Sequence, residues 1–194
     1  MKNKICNIIL VILVIAFISI VLNIGIKYTK HRSNEEQLQD VVKEFKSELN
    51  TSDEETKEIK LEYNGYNVVG IINIPKLGIE FPILDITNDD SMKVSVTKFW
   101  GNNVNDIGNF TIVGHNNLDG TMFSNTKKLK IGDEIVLTDL SGKTLKYRIF
   151  DKYIIEPNDV SCTESVNKDQ REVTLITCTN GRRNRLVIKA NEII

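Results

Sequence analysis

The chain has 194 residues and a formal net charge of −1, from 25 Lys and Arg against 26 Asp and Glu. That length suits one compact domain plus a targeting segment, not two full domains, and the balance of charge supplies no bulk basicity, so no nucleic-acid partner is expected. Three cysteines (Cys6, Cys162 and Cys178) form no C-x-x-C pair, which leaves no metal site of the usual zinc kind.

The N-terminus opens with the short positive stretch Met1-Lys2-Asn3-Lys4. Residues 5–26 are then almost entirely Ile, Val, Leu, Ala and Phe. A helix needs about 20 apolar residues to cross a bilayer, and this run is long enough. It ends Leu22-Asn23-Ile24-Gly25-Ile26-Lys27 without a small-residue cleavage site, so an uncleaved transmembrane anchor is expected over 5–26. Charge leaves its orientation open, because Lys2 and Lys4 on one side face Lys27, Lys30 and Arg32 on the other.

Residues 27–62 are highly charged and read as a stalk. Ser33-Asn34-Glu35-Glu36 has the composition of a helix start, and Leu38, Val41, Val42, Phe45 and Leu49 recur at helical spacing. A helix is predicted over 34–50, followed by a loose acidic linker around 51–55. From residue 63 to the end, short strands alternate with turns. Strands are predicted at 67–74, 79–84, 110–113, 134–138, 144–151, 173–177 and 186–190, with Pro82 marking an edge or irregularity in the second. Many short strands at this spacing predict an all-β domain, a sandwich or closed barrel, over 63–194.

Two residues of this domain draw attention. His115 ends the run Thr111-Ile112-Val113-Gly114, and Cys178 ends Val173-Thr174-Leu175-Ile176-Thr177. A strand-end histidine is well placed to face a cleft, although a lone histidine is more often a hydrogen-bonded structural residue. A free cysteine is usually a small buried hydrophobe and becomes a nucleophile only beside a cation or base. Arg182, Arg183 and Arg185 follow Cys178 and would supply the cation. On an extended strand Arg183 and Arg185 share one face, and a guanidinium there would hold an oxyanion with two donors. An exposed basic edge strand that discourages aggregation is the plainer alternative. A Cys162–Cys178 disulfide and a working thiol both remain open.

These residues resemble the sortase family. Its signature is a TLxTC strand carrying the nucleophile, a histidine upstream and an arginine one strand later; Thr174-Leu175-Ile176-Thr177-Cys178 matches it at every fixed position. Gly114-His115-Asn116 resembles the histidine motif, and Arg185-Leu186-Val187-Ile188 resembles the arginine strand. Softer matches run from about Val68, including Ile74-Pro75-Lys76-Leu77-Gly78-Ile79 and Leu129-Lys130-Ile131-Gly132-Asp133.

The resemblance implies a closed sortase-type β-barrel of about eight strands with short helices, behind an N-terminal transmembrane helix and a charged stalk. It implies a single-pass protein of the cell membrane, with residues 1–4 cytoplasmic and the catalytic domain extracellular. By resemblance, Cys178 attacks an LPxTG-type sorting signal to form a thioacyl enzyme, His115 handles the proton and Arg185 steadies the oxyanion. Thr177 and Arg183 are further candidates for substrate binding. The acceptor would be an amine of a cell-wall precursor or a pilin lysine. No cofactor is expected: some class A members bind calcium through acidic residues before the histidine motif, whereas Trp100-Gly101-Asn102-Asn103-Val104-Asn105-Asp106 holds one carboxylate. The stretch 157–171 is too short for a class B helix, and no aromatic lid precedes the domain, so a compact class A-like or D-like member is expected. Two other readings use the same residues: a membrane-anchored cysteine peptidase that only hydrolyses, and a non-catalytic surface β-domain that binds a partner.

Overall fold

The computed structural model describes residues 2–51, 60–117 and 120–193. Among helical residues, the side chains of 2–9, 11, 27–35 and 49–51 fall outside that description, and with them the side chains of the expected cap at 33–35, that of Leu49 and most of the acidic linker. The chain divides into two compact units, Met1–Asp40 and Val41–Ile194.

Helix α1 runs Lys2–Thr51 without a break. The helix start expected at Ser33-Asn34 therefore lies inside a longer helix. No proline interrupts the stretch, and the single Gly25 costs only about 1 kcal/mol against alanine. In the first unit, the described side chains at 10 and 12–26 are all exposed. Among the described residues no helix is long and apolar enough to cross a membrane; the run at 5–26 lies only partly within them. In the second unit, the end of α1 buries Val42 and Phe45, and Lys46 pairs with Glu80 at 2.8 Å. The compact unit thus reaches back to Val41, beyond the start at 63 expected for the folded domain.

The second unit is a sheet of β1 (Glu62–Tyr63), β2 (Tyr66–Ile74), β3 (Ile79–Leu84), β4 (Val96–Trp100), β5 (Gly108–Val113), β6 (Glu134–Asp139), β7 (Thr144–Ile155), β8 (Arg171–Thr179) and β9 (Asn184–Glu192), with a short helix α2 (Ser91–Val94). The order is β1-β2-β3-β4-β5-β8-β9-β7-β6, and β6 pairs back onto β2. Strands β2 to β9 therefore close into an eight-stranded barrel, and the two-residue β1 hangs on as a hairpin extension. Asn64-Gly65 joins β1 to β2 with φ of 48° and 79°, the left-handed pair that a two-residue hairpin requires.

Inward-facing Ile72, Ile83, Ile112, Leu137 and Leu175 are all about fully buried, and each such side chain contributes roughly 1.5–3 kcal/mol. Strand β4 escaped the sequence reading because Thr97-Lys98-Phe99-Trp100 has no clean alternation. It forms because β3 on one side (parallel) and β5 on the other (antiparallel) supply its hydrogen bonds. Pro82 is not a sheet edge, and it pairs in register with Ile71, the shift in that ladder falling at Val68/Gly70. Strand β3 pairs on both sides, and its ladder with β4 begins only at Ile83, where a donor is again available. The Pro82 carbonyl accepts from Ser95 Oγ at 2.6 Å.

Candidate active site

The site is built where three neighbouring strands end together. Strand β5 runs parallel to β8 in the register Gly108↔Arg171 through Val113↔Ile176. Carried two residues further, that register sets Gly114 beside Thr177 and His115 beside Cys178. The continuation is bonded: Gly114 N donates to the Ile176 carbonyl at 3.1 Å, and Thr177 Oγ1 donates to the Gly114 carbonyl at 2.7 Å. Beyond it, Asn116 Nδ2 donates to the Cys178 carbonyl at 2.7 Å.

Gly114 is required by packing. A Cβ at this position would lie 2.7 Å from Phe123 Cδ2 and 2.9 Å from Val96 Cγ1. Phe123 is fully buried, and its amide donates to the His115 carbonyl at 3.0 Å. The histidine backbone is therefore held from below by a ring that leaves no room for a side chain before it.

Strand β9 completes the site. In the antiparallel β8–β9 ladder Cys178 pairs with Arg185, Ile176 with Val187 and Thr174 with Lys189. Directly opposed residues share a face, so Cys178 and Arg185 lie on one surface that continues through Ile176 and Val187. The β7–β8 connection covers that continuation: Cys162 packs on Ile176 and Val187, with Val113, Tyr153 and Ile155 around it. At Cys178 and Arg185 the cover ends, and both are half-buried.

The structure separates the predicted site residues. Cys178, His115 and Arg185 come together. Arg183 does not share their face, because β9 begins at Asn184 and Arg183 belongs to the hairpin loop, where it is exposed. The alternation expected of an extended strand does not apply there. Thr177 points to the opposite face from Cys178 and is buried, with its hydroxyl committed to Gly114. Both Cys162 and Cys178 are free thiols. Burial pushes the Cys162 thiol up, partly offset by Lys189, which keeps it protonated and unreactive.

Arg182 has an influence that sequence reasoning did not assign to it. The loop Asn180-Gly181-Arg182 takes three left-handed conformations in a row, with φ of 51°, 64° and 72°. Its Asn-Gly pair was the available signal. Burial first, and then the positive charge of Arg182, push the His115 pKa below the usual histidine value; Lys93 adds to this and Asp89 opposes it. The imidazole is therefore neutral and proton-accepting at neutral pH.

The connection over β8 and β9 is anchored by buried polar groups. Asn109 Nδ2 donates to the carbonyls of Cys162 and Thr163, each at 3.0 Å, while Thr174 Oγ1 donates to Asn109 Oδ1 at 2.8 Å. Lys189 Nζ reaches Glu172 Oε1 at 2.7 Å and the Glu164 carbonyl at 2.9 Å. A separate cavity of about 500 Å³, lined by Trp100, Ile107, Glu164 and Lys168, opens by Gly108. Gly108 starts β5, so this cavity lies at the opposite end of the strand from His115.

Comparison with known proteins bears on the family and the fold. The family model of the sortase domain matches residues 72–193, well over half of the chain. Sortase A of Bacillus anthracis is 31% identical over 118 residues, covering 60% of this chain and 55% of that protein. Sortase A of Listeria monocytogenes is 32% identical over 117 residues, covering 60% and 51%. The chain thus spans about half the length of these curated relatives. Among solved structures, the Clostridium perfringens sortase D5 transpeptidase superposes with a TM-score of 0.64 at 28% identity, covering 83% of this chain and 98% of that one. With the barrel, the TLITC strand and the family match in agreement, the chain belongs to the sortase family.

Proposed function

We propose that this chain is a cysteine transpeptidase acting on an LPxTG-type sorting signal, with Cys178 as nucleophile, His115 as proton carrier and Arg185 as oxyanion donor. The observation that supports this reading is the register: the β8–β9 ladder pairs Cys178 with Arg185, and the β5–β8 ladder, which ends at Val113↔Ile176, leads the chain to His115 at the same end of β8.

In the first half-reaction the Cys178 Sγ attacks the carbonyl carbon of the signal's threonine. The developing oxyanion accepts hydrogen bonds from Arg185, whose planar fork suits an oxygen acceptor. The C–N bond then breaks, and the thiol proton ends on the leaving amine by way of His115. The acyl group stays on sulfur as a thioester. In the second half, an amine of a cell-wall precursor or a pilin lysine gives a proton to His115 and attacks the thioester, which restores the thiol. Splitting the transfer in two is the gain of covalent catalysis. In this reading Thr177 serves through its bond to Gly114, and Arg183, exposed in the loop, is offered as a further substrate contact.

The same reading makes residues 5–26 a membrane anchor with the barrel outside the cell. Leu10, Leu13, Ile15, Phe17, Leu22 and Ile24 are all exposed on α1, and a continuous apolar helix surface calls for apolar surroundings.

The test incubates the chain with a quenched LPxTG-type peptide, with and without an amine acceptor, and follows Cys178 by mass spectrometry beside Cys178→Ala. An acyl adduct on Cys178 with product that carries the amine is the expected result. An adduct that yields only hydrolysed peptide indicates a peptidase. Absence of any adduct across a panel of signals would indicate a binding domain.

A further inference from the structure

Strand β5 stops pairing with β8 at Val113, two residues short of His115. The ladder therefore ends before it reaches the two groups whose separation decides proton transfer. Gly114 is still tied to Ile176 and Thr177, and beyond His115 a side chain makes the next tie. Asn116, immediately after His115, donates from Nδ2 to the carbonyl oxygen of Cys178 at 2.7 Å. Its own backbone is held in turn by a bridge to Met122, which sits in a left-handed conformation with φ of 52° and is buried. The next residue, Phe123, ties the His115 carbonyl.

We infer that Asn116 is a positioning residue, which clamps the end of the thiol-bearing strand to the end of the histidine-bearing strand. The inference rests on the reading of Cys178 and His115 given above. An amide suits this role for a chemical reason. It offers an N–H donor to a carbonyl without adding a charge beside the imidazole. The peptide group after Cys178 is the last part of β8 before the left-handed hairpin loop. Fixing its carbonyl fixes the rotation of the Cys178 backbone and so the direction of Cα–Cβ. Misplacement of reacting groups by about 1 Å costs on the order of 10²-fold in rate, so one tie at this point has leverage that an ordinary surface hydrogen bond lacks.

The experiment compares wild type, Asn116→Ala and Asn116→Asp in the full chain, using the quenched LPxTG-type peptide and an amine acceptor. Aspartate has the same shape as asparagine but at neutral pH it presents two acceptors to the carbonyl and no donor. If the donor is what matters, Asn116→Ala loses roughly tenfold in kcat with KM within about twofold, and Asn116→Asp is slower still. The rate of Cys178 alkylation against pH should shift in both variants relative to wild type. Unchanged thermal melts separate these effects from unfolding. Should Asn116→Asp match wild type, or Asn116→Ala keep kcat within about twofold, the positioning role is overturned. Should the wild type itself form no adduct on Cys178, the failure lies with the transpeptidase reading instead.

Discussion

Cys178 and Arg185 face one another as the penultimate pair of the β8–β9 ladder, one residue pair before the hairpin loop. Arg185 Nη1 donates to the Arg182 carbonyl at 3.2 Å and to the Asn184 carbonyl at 3.3 Å. The guanidinium is thus steered by the carbonyl of a residue held in the left-handed region. The loop that turns the chain also aims the cation.

Replacing Arg185 by alanine is expected to lower kcat/KM by about 10²-fold or more, the scale of a lost oxyanion donor. Arg185→Lys keeps the charge but loses the fork, so it should fall between alanine and wild type. Steady-state kinetics on the quenched peptide checks the order. Equal activity of all three would remove Arg185 from the mechanism.

At Gly114 the expected effect is on fold and site together. The methyl of Gly114→Ala meets Phe123 and Val96 at distances no relaxed Cβ adopts, and overpacking of this kind costs about 1–3 kcal/mol. The Tm should fall by several degrees, and more for Gly114→Val. Because Phe123 also holds the His115 backbone, residual folded protein should show reduced kcat. Differential scanning calorimetry and kinetics measure the two parts.

His115 should titrate below the ordinary histidine range, owing to burial and then Arg182. Arg182→Gln removes one depressing charge, so the pKa should move back up, as followed by NMR of the ring protons. The sign for stability follows from linkage. The unfolded chain binds a proton near pH 6.5 while folded His115 resists it, so stability contributed by this group is full above about pH 6.5 and declines as pH falls below it. Arg182→Gln should soften that decline. A pKa unmoved by the substitution would contradict the electrostatic role.

Lys189 and Glu172 form an ion pair with side-chain exposures of only 6% and 2%. Lys189→Met leaves a carboxylate buried without its cation, which costs about 3–5 kcal/mol. The double replacement Lys189→Met with Glu172→Leu should recover much of that loss, because no charge is then stranded. Urea denaturation of the single and double variants tests this. Additive losses would mean that the pair is not coupled.

Much of the barrel was legible before folding was considered. Ile79–Leu84 coincides with the predicted strand, and Glu134 and Thr144 start β6 and β7 where apolar alternation and the Leu140-Ser141-Gly142-Lys143 turn placed them. Such signals are local, since a strand with one buried face writes its period into the residues. TLITC and Gly114-His115 were legible for a similar reason: each is a short apolar strand ending on a reactive side chain. Strand β4 was not legible, because its partners, not its own pattern, create it.

The sequence by itself determined which side chains are chemically able to serve a site, since a thiol, an imidazole and a guanidinium each have reactivity intrinsic to the residue. Only the tertiary structure decided how they combine. The parallel pairing of β5 with β8 joins segments some sixty residues apart, as in Asn116 to Cys178, and no local pattern encodes that register. The start of β9 at Asn184 puts Arg185 in the ladder opposite Cys178 and Arg183 in the loop, and the face of β8 turned Thr177 inward to Gly114 while leaving Cys178 half-exposed. For Thr177 and Cys178 the deciding physics is the pleat, since neighbouring residues of a strand face opposite ways and only the adjoining strands set which way; for the arginines it is where the β8–β9 ladder ends.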